Sequence, residues 1–425
     1  MHKHTIAPDT RQLVIVMVGM PARGKSYTAR KISRYLSWRG YRTRVFNVGE
    51  YRRERHGARI NHDFFDPHNS AGRRKRREVA EAALDDLTGW LQRGGQVALY
   101  DATNSTRERR TWVKQQCEQR GFQVLFVDLV CDDPELIETN IRNTKLNSPD
   151  YAEMDPDAAV EDFRQRIAHY ERANEPLQDD EGSYLRVTNA GQQVVANRVE
   201  GYLSARLTFF LVNLHLTTRP IWITRHGEST YNLEGRLGGD PDLTARGQAY
   251  AHSLADLLDE VFPDPDSLVV WTSSLRRAGQ TANPLARPSM AWRALDEIGA
   301  GVCDGMTYAQ IEQDLPDEFE ARRADKFHYR YPRGESYEDV ISRLDPVITE
   351  LERTRRPVLV IAHQAVLRAL YAYFKGVPPQ QSPQVAIPLH TVIALQPHAY
   401  GCDERRIPLA PQITEQPATS PPPPA

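Results

Sequence analysis

The sequence predicts an α/β protein of two domains, each a sheet held between helical layers. Three observations carry that expectation. Apolar, β-branched runs alternate with helix-like stretches through the first half, the first of these runs ends in a glycine-rich loop, and a second alternation starts afresh at Ile221. At 425 residues the chain is long enough for two independent cores.

Gln12-Leu13-Val14-Ile15-Val16-Met17-Val18 is a continuous apolar run, as a buried parallel strand requires. It leads into Gly19-Met20-Pro21-Ala22-Arg23-Gly24-Lys25-Ser26. That spacing is a phosphate-cradling P-loop, in which backbone N–H groups wrap phosphates and a helix N-terminus adds positive potential. A chance glycine turn is the competing reading, and the position between a strand and a helix weighs against it. Lys25 is placed to reach β- and γ-phosphates, and the Ser26 hydroxyl to hold magnesium. Tyr27 to Arg39 reads as a helix closed by Gly40.

Arg44–Val48, Gln96–Tyr100 and Val124–Val130 are the next strands expected. Asp101 ends the second of them, where a carboxylate either organises magnesium or accepts a hydroxyl proton. The Arg107-Glu108-Arg109-Arg110 run follows, so cationic forks stand just beyond that carboxylate. Arg52-Arg53-Glu54-Arg55 and Arg73-Arg74-Lys75-Arg76-Arg77 are further basic clusters, read either as solvated helix faces or as sites for an anionic substrate. Val194 to Leu216 is expected to be a connecting helix plus strand, with the domain break near residues 210–218.

The second alternation comprises Ile221–Thr224, Leu268–Thr272 and Pro357–Ala362. Arg225-His226-Gly227-Glu228 follows its first strand. A neutral imidazole there is a competent nucleophile toward phosphorus when cations neutralise the equatorial oxygens. A lone histidine near a strand end is usually structural. Arg276 and Arg277 after the second strand, Glu297 as a candidate acid, and His363 ending the third make the reading catalytic, because successive strand ends converge on one crevice.

Bulk properties exclude other classes. Net charge is -2, which weighs against a dedicated nucleic-acid binder. No apolar run approaches the ~20 residues of a membrane helix, and the first residues lack a signal peptide's apolar core. Four widely spaced cysteines, without a CxxC pair, argue for a reducing compartment and so for the cytoplasm. Boundaries are expected at 1–10 (flexible), 11–215 (first domain), 216–400 (second domain) and 401–425 (a proline-rich, disordered tail).

Arg225-His226-Gly227-Glu228, Arg277-Ala278-Gly279-Gln280-Thr281-Ala282 and His363 resemble the histidine phosphatase superfamily, which includes phosphoglycerate mutase. From about Gln12 to Gly401 the chain is similar to the bifunctional 6-phosphofructo-2-kinase/fructose-2,6-bisphosphatase family. The stretches that carry this are Phe46 to Arg53, Asp101 to Arg110, Ser148-Pro149-Asp150-Tyr151, Ala300 to Cys303, Gly334 to Asp339 and Pro388 to Val392. The resemblance implies two three-layer α/β/α domains, a P-loop mononucleotide-binding domain followed by a phosphoglycerate mutase-like domain. It implies ATP as substrate with Mg2+, fructose 6-phosphate as acceptor, and a homodimer.

Residue by residue, the resemblance implies nucleotide contacts from Gly19, Arg23, Gly24, Lys25, Ser26, Tyr27 and the stretch Asn140 to Lys145. It implies metal ligation by Ser26 and Asp101, sugar-phosphate contacts from Arg52, Arg76, Thr103, Arg109, Arg166 and Tyr170, and a kinase-site role for Cys131 and Lys145. In the second domain His226 becomes the phosphohistidine and Glu297 the proton donor. Arg225, Asn232, Arg277 and His363 attend the transferring group, while Gly238, Tyr308, Arg322, Lys326, Tyr337, Gln364 and Arg368 hold the bisphosphate. Gly299 stands where many relatives carry an acidic residue. Arg277 is kept where kinase-biased relatives have lost it, so an active phosphatase is expected. The termini contain no Arg-Arg-x-Ser site, so control by its phosphorylation is expected to be absent. The alternative reading is one live site, with the other domain regulatory.

Overall fold

A computed structural model describes residues 12–58, 60–142, 149–151, 154–215, 218–398 and 401–409. The chain divides into two compact units, Met1–Leu216 and Thr217–Ala425.

The first unit runs β1 (Leu13–Val18), α1 (Lys25–Trp38), β2 (Thr43–Asn47), α2 (Val48–His56), α3 (Ser70–Gln92), β3 (Val97–Asp101), α4 (Arg107–Glu118), β4 (Gln123–Val130), α5 (Pro134–Asn140), α6 (Pro156–Arg172), β5 (Tyr184–Thr188), β6 (Gln193–Asn197) and α7 (Tyr202–Val212). Its sheet has the order β2-β3-β1-β4-β5-β6. Every residue of β1 is buried, as expected of a central strand covered on both faces. The sheet is parallel except at β6, which returns antiparallel to β5. The Val194–Leu216 stretch, expected to hold a helix and a strand, opens with that strand and continues as helix α7.

The second unit runs β7 (Ile221–Arg225), α8 (Thr230–Glu234), α9 (Ala245–Val261), β8 (Val269–Ser273), α10 (Arg276–Ala282), β9 (Ser289–Trp292), α11 (Tyr308–Asp314), α12 (Pro316–Ala324), α13 (Tyr337–Arg353), β10 (Val358–Ala362), α14 (Gln364–Lys375), β11 (Thr391–His398) and β12 (Gly401–Pro408). The sheet order is β12-β11-β7-β10-β8-β9. Here too the sheet is parallel except at one edge, where β11 runs antiparallel to β7 and β12 antiparallel to β11. The tail expected from residue 401 is thus corrected: Gly401–Pro408 is an edge strand in full register with Thr391–His398. Residues 1–10 and the proline run lie outside the described residues.

Each unit has its own core. Val14, Val16, Tyr100, Phe126 and Leu87 pack together in the first, and Tyr250, Leu254, Leu359, Ile361 and Val392 in the second. Open sheets of this kind present ligand crevices at the carboxyl ends of their strands, where both sets of candidate residues fall.

Two candidate phosphoryl-transfer sites

In the first unit, the turn out of β1 is built on close approach. Gly19 has φ +129°, and a Cβ there would stand 2.4 Å from the Leu129 carbonyl oxygen of β4. Its N–H donates to the Thr103 carbonyl at 3.0 Å, which pins the loop to the strand-end segment after β3. Gly24 takes φ 82° as the residue before α1, so the helix N-terminus faces the loop. Lys25 is buried and donates to the Met20 carbonyl across the loop. Asn140 donates to the Ala22 carbonyl at 3.0 Å, fastening the end of α5 to the same turn. Tyr27 lies beneath Lys31, whose Nζ is 5.0 Å from the ring centroid. Arg23 donates to the Pro21 carbonyl, and burial pulls its guanidinium below the usual arginine value. Burial pushes the Cys131 thiol up, with the backbone of Asp133 and the charge of Arg23 opposing.

Ser26 and Asp101 meet through a residue that sequence reasoning did not single out. The Asn47 amide donates to Asp101 Oδ2 and lies 3.4 Å from Ser26 Oγ. The parallel register pairs Asn47 with Asp101 at the carboxyl ends of β2 and β3. Its Oδ1 meanwhile accepts the Glu50 N–H and caps α2. A hydroxyl and a carboxylate held side by side are oxygen donors of the kind a hard divalent cation takes.

The expected sugar-phosphate residues converge. Arg52 is buried and donates to Asp150 Oδ2 at 2.5 Å, while Arg166 lies 3.8 Å from the same oxygen. Both guanidinium groups face the Phe65 ring, Arg166 at 3.7 Å and Arg52 at 5.9 Å, and Tyr170 packs against that ring. Burial pulls Arg52 down, with Asp150 opposing. Arg76 donates to the Phe64 carbonyl, and burial lowers it within electrostatic reach of Tyr170 and Arg109. Arg109 stacks on Trp112 at 4.8 Å. Arg52 Nη1 and Arg166 Nε are buried with no hydrogen-bond partner among the described residues. Buried cationic donors of this kind are costly unless an anion completes them. Thr103 contributes its carbonyl to Gly19, as above. Lys145 lies outside the described residues.

In the second unit, His226 leaves β7 and donates its backbone N–H to Ala362 at 3.1 Å, continuing the ladder toward β10. Its Nδ1 stands 2.6 Å from the Gly227 carbonyl. An acceptor there places the proton on Nδ1 and leaves Nε2 with its lone pair as an acceptor. Arg277 Nε–H points at that Nε2 from 3.2 Å. Burial, with Arg277 next in size, pulls His226 down to about 3, so the imidazole is neutral at physiological pH. His363 is fully buried and lowered for the same first cause, with His226 second. The two rings lie 5.0 Å apart, and His363 Nε2 is 2.7 Å from Ser273 Oγ at the end of β8. Burial takes Arg225 down to about 10. Arg225 Nε and His363 Nδ1 have no hydrogen-bond partner among the described residues.

Two glycines allow α9 to approach the segment that follows His226. A Cβ at Gly227 would stand 2.4 Å from the Gly247 carbonyl oxygen, and one at Gly247 would stand 2.1 Å from that of Glu228. Asn232 is fixed by a capping box with Ser229 at the start of α8. The Glu297 carboxylate accepts the N–H groups of Ile298, Gln364 and Ala365, so it sits at the N-terminus of α14 beside His363. Arg343, not picked out from the sequence, holds the segment behind it by donating to the carbonyls of Ala294, Asp296 and Glu297. The Gly299 N–H donates to Glu335 Oε2 at 2.9 Å, and Glu335 pairs with Arg343 at 2.7 Å.

The residues expected to hold a bisphosphate come from the segment between α8 and α9 (Gly238), the connection between β9 and α13 (Tyr308, Arg322, Lys326), the first residue of α13 (Tyr337) and α14 (Gln364, Arg368). Arg322 donates to the Tyr308 hydroxyl at 2.7 Å, and Arg368 to the Tyr337 hydroxyl at 3.3 Å. Burial, with Arg368 and Arg322 adding positive charge, pulls Lys326 down to about 8. Gly238 takes φ +68° where a Cβ would collide with Asp304. Gln364 supplies its backbone N–H to Glu297.

Comparison with known proteins agrees with this division. Residues 2–218 match the family model described as 6-phosphofructo-2-kinase, and residues 221–408 match the histidine phosphatase superfamily, branch 1. The 6-phosphofructo-2-kinase/fructose-2,6-bisphosphatase of Arabidopsis thaliana is 50% identical over 94% of this chain, which spans 54% of that longer protein. The human protein named 6-phosphofructo-2-kinase/fructose-2,6-bisphosphatase 4 is 49% identical over 92% of this chain and 83% of its own length. The Gallus gallus relative is 48% identical over 93% and 84%. With both catalytic domains present in the same order, the chain belongs to the bifunctional 6-phosphofructo-2-kinase/fructose-2,6-bisphosphatase family.

Proposed function

We propose that this protein makes fructose 2,6-bisphosphate from ATP and fructose 6-phosphate at its first site and hydrolyses it back to fructose 6-phosphate and phosphate at its second. What supports this reading is the gathering of candidate phosphate-binding residues at the carboxyl edge of each sheet, in a chain about half identical to proteins named 6-phosphofructo-2-kinase/fructose-2,6-bisphosphatase. Nothing favours the alternative of a single live site.

In the kinase reaction the sugar phosphate is held by Arg52, Arg76, Arg109 and Arg166 with Tyr170. The loop from Gly19 to Ser26 cradles the nucleotide phosphates, and Lys25 lies on the transferring group, with Asn140 and Lys145 along the nucleotide. Ser26 and Asp101 would hold Mg2+, which neutralises phosphate oxygens when bound. The 2-hydroxyl oxygen bonds to the γ-phosphorus as the bond to ADP breaks, and Asp101 is the carboxylate at hand for its proton.

In the hydrolytic reaction His226 Nε2 attacks the 2-phosphoryl group, and Glu297 gives the leaving oxygen its proton. Arg225 and Arg277 neutralise the equatorial oxygens, and Asn232 and His363 are polar groups beside them. Water then attacks the phosphorus of the phosphohistidine, the bond to His226 Nε2 breaks and phosphate leaves, with the Glu297 carboxylate taking the water's proton. The sugar is oriented by Gly238, Tyr308, Arg322, Lys326, Tyr337, Gln364 and Arg368. By likeness to its family the protein is a cytoplasmic homodimer, which light scattering would test.

Incubation with magnesium-ATP and fructose 6-phosphate should yield an acid-labile 2-phosphate, and its absence would sink the kinase reading. Incubation with fructose 2,6-bisphosphate should yield fructose 6-phosphate, and no product there would sink the phosphatase reading. His226→Ala should abolish only the second activity and Lys25→Ala only the first.

A further inference from the structure

The turn between α2 and α3 carries a cluster that neither reaction uses. His62, Asp63 and His169 each offer a ligand atom, and the three atoms lie within 4.8 Å of one another. His62 and Asp63 open a short 3-10 turn, His62–Phe65, and His169 comes from the last turn of α6. We propose that these three side chains form a binding site for a zinc-class divalent cation.

The case rests on how the donors are prepared. His62 Nδ1 stands 2.8 Å from Asp162 Oδ1, and the His62 backbone N–H donates to the same oxygen at 3.3 Å. Asp162 Oδ2 is taken by the Tyr151 hydroxyl at 2.8 Å. This carboxylate therefore fixes the proton on Nδ1 and turns the Nε2 lone pair outward, the arrangement that orients metal-ligating imidazoles. His62 Nε2 lies 3.4 Å from Asp63 Oδ1. At zinc–ligand bonds of about 2.0–2.2 Å, tetrahedral neighbours stand ~3.4 Å apart. That pair is already at ligand spacing.

The third donor points the same way. His169 stacks on His62 with ring centroids 5.6 Å apart, and its Nδ1 is buried with no hydrogen-bond partner among the described residues. A buried ring nitrogen left unsatisfied costs stability unless something completes it. Asp63 is further held by Asn61 and Asn69. Two imidazoles and one carboxylate suit zinc or a neighbouring late first-row ion rather than magnesium. Three protein ligands leave a fourth position open to solvent. Binding would tie the His62–Phe65 turn to α6.

The site is tested on the full-length protein after chelation and in the absence of nucleotide, by titrating Zn2+ against a chromophoric chelator. The wild type should bind one equivalent that His62→Gln, His169→Ala and Asp63→Asn each weaken by at least about tenfold. Because Asp63 is exposed, its replacement leaves the fold intact and keeps the test meaningful if a histidine variant unfolds. Added Zn2+ should also slow amide exchange across residues 62–65 in the wild type and not in Asp63→Asn. Absence of that equivalent in the wild type, or equal Zn2+ affinity in the wild type and all three variants, would overturn the proposal.

Discussion

Arg277 directs its Nε–H at His226 Nε2 from 3.2 Å. The guanidinium that would neutralise a transferring phosphoryl group thus rests on the atom that would attack it. Arg277 is held from the other side by the Gly239 carbonyl and Asp240. Arg277→Ala should slow phosphohistidine formation by about 10²–10³-fold, measured by rapid quench with labelled bisphosphate. Kinase turnover should stay unchanged.

The depressed His226 gives a pH signature. Its folded value is about 3, against ~6.5 for a free imidazole. Between those two values the unfolded chain binds the proton and the folded chain does not, so lowering the pH through that window destabilises the second unit. The contribution is fully present above the unfolded value. Carbon-13 spectra of labelled histidine should show no His226 titration between about pH 5 and 8. A midpoint near the free value would contradict the buried neutral nucleophile.

Lys326 titrates in the opposite sense for binding. Lowered to about 8 by burial and by Arg368 and Arg322, it loses its charge as the pH rises through that value. The KM for fructose 2,6-bisphosphate should therefore rise between about pH 7 and 9. Lys326→Arg, protonated throughout, should flatten the rise. An unchanged slope in that variant would assign the effect elsewhere.

Asn47 joins stability to the kinase reaction. Its Oδ1 caps α2 while its amide holds Asp101 Oδ2. Asn47→Ala should cost about 1 kcal/mol in denaturant unfolding of the first unit and lower the kinase rate about tenfold. Asn47→Asp keeps the cap but sets like charges together, so stability should recover and the kinase rate should not.

Gly19 and Gly40 separate strain from collision. Both have positive φ, but only at Gly19 would a Cβ meet backbone, 2.4 Å from Leu129; nothing lies within 4 Å of one at Gly40. Gly40→Ala should cost about 1 kcal/mol. Gly19→Ala should cost at least about 2 kcal/mol and abolish the thermal shift given by ATP. Equal costs would show that β4 yields to the added methyl.

Much of this architecture was legible in the sequence because burial writes itself into composition. Leu13–Val18 and Val358–Ala362 are buried along their whole length, and each reads as an unbroken apolar run. Gly401–Pro408 does not. Its residues alternate between exposed and half-exposed, and it carries Asp403, Glu404, Arg405 and Arg406, as an edge strand guarded against pairing does. Asn47 and Asp150 escaped notice as site residues for a different reason. Their importance comes from register and from three arginines supplied by α2 and α6, and no local pattern records that. Ser273 was hidden likewise, since only the fold sets it beside His363.

The ladder between β7 and β10 carries a last consequence. It is continued by the His226 N–H to the Ala362 carbonyl, and the two imidazoles that follow stand 5.0 Å apart, close to the ~4.8 Å spacing of hydrogen-bonded strands. The backbone is therefore the ruler for the reacting pair. Tyr308, Arg322 and Lys326, proposed above to orient the sugar, come instead from an excursion hung on the sheet's edge after β9. A descendant of this unit could be refitted to another phosphate ester by reshaping that excursion alone, inheriting its chemistry unaltered.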